Sequence, residues 1–152
     1  VREVGKDLVQ SSGWDFIHSI AHNYPEEPTI EHRVNTCMFM ASLPYLLPHP
    51  ALIDGALEFM KNNPVDNCLE DRPTLVLWCY LLHSHLVLIY RKLGAKGWSI
   101  RKFNDSCAYY ESFRAGCGQS KGKKGGSCRL PVSASIKNRN LQLLLDNTRM
   151  RS

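Results

Sequence analysis

Apolar residues recur at the period of an α-helix along most of the chain. The first stripe consists of Trp14, Ile17, Ala21 and Tyr24. It predicts a helix from about Lys6 to Asn23, since these spacings lie on one helical face. The helix is expected to stop at Tyr24, because Pro25 disfavours helical geometry in the residue before it.

Two further helices are predicted between the prolines that follow. The second is expected to start after Thr29, a residue whose side chain suits an N-cap. Its apolar side is expected to hold Val34, Met38, Ala41 and Tyr45. Pro44 and Pro48 then interrupt the pattern. The third helix is predicted from about Pro50, since proline is tolerated in a first turn. Its stripe consists of Ile53, Ala56, Leu57 and Met60.

The densest apolar stretch predicts a long buried helix from Arg72 to about Leu93. Gly94 is expected to end it in the left-handed conformation. A short fifth helix is predicted from Asp105 to Arg114. A final stripe of Leu141, Leu144 and Leu145 indicates one or two helical turns between residues 140 and 148. No run of about 18 apolar residues occurs, so we expect no membrane span.

These elements predict an all-α protein, a four-helix bundle with a short fifth helix and an irregular basic C-terminal tail. The length of 152 residues suits one domain. We expect a helical domain over residues 1–117 and a Gly/Lys-rich tail over residues 118–152. This tail has eight Lys/Arg and one acid, a net charge of +7, whereas the preceding 117 residues have a net charge of −2. It suits weak nucleic-acid binding, although a solvated linker is the alternative because interleaved aromatic residues are absent.

The cysteines and histidines are the candidate sites of chemistry in this chain. The six cysteines are Cys37, Cys68, Cys79, Cys107, Cys117 and Cys128. None forms a C-x-x-C pair, so zinc ribbons and thioredoxin-type motifs are not predicted. His18 and His22 share a helix face, and His83 and His85 lie on the fourth helix. They lack the acidic partner of a zincin motif, and we predict no metal site. No signal-peptide pattern opens the chain, so we expect an intracellular protein.

The first motif of the chain resembles a known family. Trp14, His18 four residues later, and the Tyr24-Pro25 pair followed by Pro28-Thr29 are similar to the opening of the Erv/ALR family of FAD-linked sulfhydryl oxidases. The resemblance continues through Asn63, Trp78 and Arg91 to Gly94, and covers residues 11 to 107. It implies a flavin-binding bundle that forms a homodimer. It also implies that Trp14, His18, Tyr24 and His83 line the FAD pocket; periodicity alone would make them ordinary core residues.

The chain departs from the family at its redox centre. Where the family has Cys-x-x-Cys at the start of the third helix, this chain has His49-Pro50-Ala51-Leu52. Neither histidine nor leucine forms a disulfide. A replacement pair is therefore expected in Cys117 and Cys128, with Cys107 as a third thiol. The alternatives are a disulfide within the tail or a bond from Cys107 to a second subunit. The resemblance also suggests a structural Cys68–Cys79 disulfide, against the alternative of two buried thiols; Cys37 is expected to be buried.

Two functions remain open at this point. The resemblance implies a sulfhydryl oxidase-like protein that forms disulfides in thiol-containing client proteins, with oxygen as the acceptor. The alternative is a catalytically degenerate, dimeric interaction or structural protein on the same fold, because the standard redox pair is absent. Short members of the family occur among large DNA viruses, so a viral origin is expected, with a location in the host cytoplasm or the virion.

Overall fold

The computed structural model describes residues 12–95, 98–113 and 138–150. These residues form helices and contain no strand, which confirms the all-α prediction. The helices are α1 (Trp14–His22), α2 (Ile30–Leu46), α3 (Pro50–Asn62), α4 (Arg72–Lys92), α5 (Phe103–Glu111) and α6 (Arg139–Met150), with a 3-10 turn at Val65–Cys68. The predicted start of the first helix at Lys6 lies outside the described residues.

Local side-chain bonds explain where several helices begin and end. The Thr29 hydroxyl accepts a hydrogen bond from the His32 backbone N–H at 3.2 Å, and the Thr29 N–H donates to the His32 ring. This is a reciprocal capping box with histidine in place of the usual acid. Asp71 caps α4 by accepting from the Thr74 N–H at 2.9 Å. Gly94 ends α4 with a φ of +82°, which confirms the predicted left-handed residue.

Helix α4 lies at the centre of the bundle and contacts α1, α3 and α6. Its length and composition would also suit a membrane span, but 78% of its most apolar 18-residue stretch is buried inside the protein. That degree of burial is typical of a central core helix. The contact with α3 is close at Gly55, where a Cβ atom would clash with Ile89 Cδ1. The absence of a side chain at Gly55 therefore allows the two helices to approach.

The predicted apolar side of α2 is wrong. Val34, Met38, Ala41 and Tyr45 are exposed, whereas Met40 and Pro44 are buried. The reason is that α2 packs on α3 and on the 3-10 turn through its other face. Pro44 does not interrupt the helix either, because it stands in the last turn, where α2 continues to Leu46. An apolar stripe is thus left uncovered on this chain.

The third, fifth and last helices also differ in detail from the prediction. In α3 the most buried positions are Leu52, Gly55, Ala56 and Phe59, so the inner face is rotated by about one residue from the predicted stripe. Helix α5 starts at Phe103, two residues earlier than predicted. Helix α6 buries Leu141 and Leu145 against α4. The predicted tail is therefore not irregular over Arg139–Met150, while residues 114–137 lie outside the described part of the chain.

Candidate functional site

Three of the residues singled out by the sequence meet between α1 and α4. The indole of Trp14 stacks on the imidazole of His83, with ring centroids 4.1 Å apart and planes 9° from parallel. His18, one turn after Trp14, forms a hydrogen bond of 2.9 Å between its Nε2 atom and Nδ1 of His83. One of these two nitrogens carries the hydrogen and donates the hydrogen bond, and the other nitrogen accepts it. All three side chains are buried.

The two histidines of this cluster are neutral at neutral pH. Burial, with a smaller contribution from the neighbouring His22, lowers the pKa of His18 from 6.5 to about 3. Burial likewise lowers the pKa of His83 to about 2, with His18 as the second cause. A charged imidazole would lose its hydration at either position, which is costly without a carboxylate partner. The pair therefore presents hydrogen-bonding capacity without charge.

Helix α5 covers the same region from the opposite side of His18. The Tyr110 ring stacks on His18 with centroids 4.9 Å apart, and the Tyr110 hydroxyl donates to Asp15 Oδ1 at 2.8 Å. One turn away, His22 Nδ1 and Glu111 Oε1 lie 3.1 Å apart in a buried contact. These two polar contacts, both between α1 and α5, hold the short helix in place.

A cleft of about 610 Å³ opens between these helices. It is lined by Trp14, Asp15, His18, His83, Ser99, Ile100, Arg101, Ser106, Tyr109 and Tyr110. The guanidinium of Arg101 lies 3.8 Å from the centre of the Tyr109 ring. Among the described residues, the buried atoms Trp14 Nε1 and His83 Nε2 have no hydrogen-bond partner. Because buried polar atoms are normally paired, this aromatic cleft has the size and the unpaired polar atoms of a ligand site. We call it the flavin cleft, after the FAD pocket that the resemblance implies.

The comparisons with known proteins identify the family. The model of the Erv1/Alr family matches residues 11–106. The chain belongs to this family. It is 27% identical over 73 residues to a protein described as an FAD-linked sulfhydryl oxidase in Invertebrate iridescent virus 3, covering 48% of this chain and 49% of that protein. It is 32% identical over 73 residues to another so described in Acanthamoeba polyphaga mimivirus, covering 47% and 51%. The chain spans about half the length of the curated relatives it matches.

Of the four predicted FAD-binding residues, Tyr24 is the one that lies outside the flavin cleft. It is buried, and its hydroxyl donates to the Leu69 carbonyl oxygen at 2.9 Å, which ties the end of α1 to the segment before α4. The arginine and tyrosines that α5 and its preceding loop contribute were missed by sequence reasoning. The sequence signal for the two tyrosines is that Tyr109 and Tyr110 stand side by side within the predicted fifth helix.

At the start of α3, the segment that replaces the family's cysteine pair is packed with side chains. The His49 ring accepts a hydrogen bond from the Ala51 N–H at 3.1 Å and so caps the helix. Its ring lies edge-on to Tyr90, which in turn stacks on Trp98 with centroids 3.8 Å apart. Leu52 is buried in the core. His49 and Leu52 therefore serve capping and packing, and neither can take part in thiol chemistry.

The described cysteines lie outside the flavin cleft as free thiols. Cys68, Cys79 and Cys107 are buried and Cys37 is half-buried. Cys68 and Cys79 stand as buried thiols in the structure, and the disulfide between them stays a prediction. Burial raises the pKa of Cys107 to about 12, with Glu111 adding to the effect. A thiol held protonated is a poor nucleophile, which argues against Cys107 as a third reactive thiol.

Cys117 and Cys128 lie outside the described residues, as does the Lys-rich segment predicted to bind nucleic acid. His18 and His83 come together, but no group of three or more His, Cys, Asp or Glu side chains suited to a metal ion occurs within residues 12–95, 98–113 and 138–150.

Proposed function

We propose that this chain is a sulfhydryl oxidase-like flavoprotein that binds FAD in the flavin cleft. The observation that carries the proposal is the stack of Trp14 on His83, with two buried nitrogens left without a partner at a cleft of about 610 Å³. Flat aromatic walls suit a flat heteroaromatic ring, and orphaned polar atoms suit its nitrogen and oxygen atoms. The names of the two viral relatives support FAD as that ligand and support a viral origin.

The residues of the cleft fit such a group by their chemistry. Trp14 and Tyr110 offer aromatic surface, His83 and Trp14 offer the two unpaired nitrogens, and Arg101 offers a positive charge to an anionic part of the ligand. Bound FAD would supply two-electron oxidation of thiols, with oxygen as the final acceptor. The neutral His18–His83 pair would keep this wall uncharged at neutral pH, and α5 would limit the access of water from one side.

The thiols for this chemistry have to come from outside the described cleft. None of the described residues that line it is a cysteine. We therefore propose that Cys117 and Cys128 oxidise client proteins by thiol–disulfide exchange, in which two client thiols lose two electrons and two protons to form a disulfide. The pair Cys117 and Cys128 is reduced in that exchange, and bound FAD would supply the two-electron oxidation that restores its disulfide.

The first experiment is the visible absorption spectrum of the purified, untagged chain. We expect stoichiometric flavin bands, and we expect Trp14→Ala to lose them while Phe16→Ala, an exposed position on the same helix, keeps them. A chain that stays colourless after incubation with FAD would contradict the proposal.

For the thiols, Cys117→Ser and Cys128→Ser should each abolish oxidation of dithiothreitol, whereas Cys37→Ser should not. Unchanged turnover in both would refute their assignment.

A second candidate function, a dimeric interaction protein without catalysis, is favoured by the surface of α2. Ile30, Val34, Met38 and Tyr45 are 82%, 51%, 66% and 69% exposed and form one apolar stripe, which we call the α2 stripe. The helix has 17 residues and is about 25 Å long. A contiguous apolar surface of this kind marks an interaction site. We propose a second copy as its partner, because a two-fold axis would bring two identical stripes together. Oxidase turnover above that of free flavin would show that the chain retains catalysis and would contradict this second candidate function.

A further inference from the structure

Helix α5 covers the wall of the flavin cleft on which a flat ligand would stack. Trp14, His18 and His83 line that cleft, yet they are only 2%, 2% and 7% exposed. Their two unpaired nitrogens, Trp14 Nε1 and His83 Nε2, are buried as well. The Tyr110 ring of α5 lies on His18, with the ring centroids 4.9 Å apart. A ligand therefore reaches this wall only if a covering element moves.

The first end of α5 is anchored to the central helix. Phe103, its first residue, is 3% exposed, and its ring lies edge-on to Tyr80 of α4 with centroids 5.0 Å apart. The Tyr80 hydroxyl also donates to the Arg101 carbonyl oxygen at 2.9 Å. Arg91 Nε donates to the Trp98 carbonyl oxygen at 2.8 Å, so the start of the preceding loop is tied to α4 too. Moving this end would break apolar and polar contacts together.

The other end of α5 is held on α1 by polar side chains. The Tyr110 hydroxyl donates to Asp15 Oδ1 at 2.8 Å, and His22 Nδ1 lies 3.1 Å from Glu111 Oε1. We call these four residues the latch. The bond from Tyr110 to Asp15 is exposed, and because water competes for both groups its net strength is modest. The latch can therefore open while Phe103 stays packed on α4.

We propose that α5 is a gate that swings outward about the anchored residues 98–103, opens the latch and lets FAD reach the wall formed by Trp14 and His83. The inference rests on the proposed function, since it concerns how the ligand of the flavin cleft enters. A nine-residue helix with one anchored end suits this motion, because local opening occurs where buried apolar contacts are few. Closure of the gate over bound FAD would exclude water from the cleft.

Cys107 reports the opening of α5 without any flavin. It lies on the buried side of α5 and is 8% exposed, whereas Cys79 on α4 is fully buried. The full chain is incubated with iodoacetamide for a prolonged time, and the labelled peptides are quantified by mass spectrometry. We expect Cys107 to react slowly through opening of α5, and Cys79 more slowly still, because it becomes accessible only on global unfolding.

Two tyrosine variants separate local opening from global unfolding. Tyr110→Phe removes the latch hydroxyl but keeps the ring, and should speed the labelling of Cys107 about fivefold, as expected for one hydrogen bond. Tyr24→Phe is the matched control, because it removes the hydroxyl that donates to the Leu69 carbonyl oxygen, away from α5. It should speed the labelling of Cys79, which depends on global stability, and leave that of Cys107 unchanged.

The entry of FAD is measured in the same variants by the quenching of flavin fluorescence in stopped flow. Tyr110→Phe should raise the association rate constant about fivefold, as the loss of one hydrogen bond from the closed state predicts, and Tyr24→Phe should not change it. Bound FAD should slow the labelling of Cys107 in the wild-type chain, because it favours the closed arrangement.

Three results would overturn the gate. One is labelling of Cys107 and Cys79 at the same rate. Another is faster labelling of Cys107 in Tyr24→Phe, in step with Cys79, which would show that Cys107 reacts only through global unfolding. The third is an FAD association rate that Tyr110→Phe leaves unchanged. A chain that binds no FAD but shows the expected labelling would refute the proposed flavoprotein and support the opening of α5.

Discussion

The indole of Trp14 lies flat on the imidazole of His83, 4.1 Å from it, and joins the first described helix to the central one. His18 bonds to the same imidazole, so His83 is held both by stacking and by a hydrogen bond. This contact brings two segments of the chain that are 65 residues apart into one wall of the flavin cleft. The wall is uncharged because both imidazoles are buried and neutral.

This histidine pair predicts a loss of stability in mild acid. The folded-state pKa values of about 3 for His18 and about 2 for His83 lie below the ordinary value of 6.5. As the pH falls below 6.5, the unfolded chain takes up protons that the folded chain does not. Each histidine should then lower the free energy of unfolding by about 1.4 kcal/mol per pH unit.

Urea denaturation at pH 7, 6 and 5 measures this slope. The double variant His18→Gln with His83→Gln should flatten it, while part of the slope should remain because burial also lowers the pKa of His85. His32→Gln is the control, since His32 is exposed and glutamine also suits its position in a capping box. A slope that is the same in the double variant and in the wild type would rule out the histidine pair as its source.

The α2 stripe predicts a dimer that can be dissociated by charge. Val34→Glu with Met38→Glu places two carboxylates on the stripe, and their desolvation on contact should raise the dimer dissociation constant at least tenfold. Sedimentation equilibrium measures the change. Asn35→Glu adds a charge to the same helix outside the stripe and should have little effect. A wild-type chain that is monomeric at high micromolar concentration would contradict the dimer.

The cysteines are expected to fall into two classes of reactivity. Burial raises the pKa of Cys68 to about 12 and raises that of Cys79 still further. Since the thiolate is the reactive form, these two and Cys107 should resist iodoacetamide at pH 8 in the folded chain and react after unfolding in urea. Cys117 and Cys128 should be labelled first. Mass spectrometry of the labelled peptides reads the order, and rapid labelling of Cys107 in the folded chain would be inconsistent with it.

The close approach of α3 to α4 can be tested at Gly55. Gly55→Ala places a Cβ atom against Ile89 Cδ1, and we expect a loss of about 1 kcal/mol despite the better helix propensity of alanine. Ile89→Val removes that Cδ1 atom. In the Ile89→Val background, Gly55→Ala should therefore be neutral or stabilising. A double-mutant cycle by urea denaturation measures the coupling, and additive effects would show that the contact is not limiting.

The positions of the helices were largely predictable from the sequence because their causes are local. The apolar period, the caps at Thr29 and the glycine at Gly94 act within a few residues of where they stand. The predicted third and fourth helices accordingly begin where the structure begins them, at Pro50 and Arg72. The resemblance to the family, whose model covers Trp14, His18 and His83, also places these three residues in one site.

What the sequence by itself determined is thus the all-α class, most helix bounds, the family and the loss of its cysteine pair at His49–Leu52. Only the tertiary structure decided which face of α2 is buried, that Tyr24 lies outside the flavin cleft, and that α6 packs on α4. An apolar stripe specifies that a helix has something to bury. What it is buried against depends on neighbours distant in the chain, and an apolar face such as the α2 stripe can equally be left for a partner.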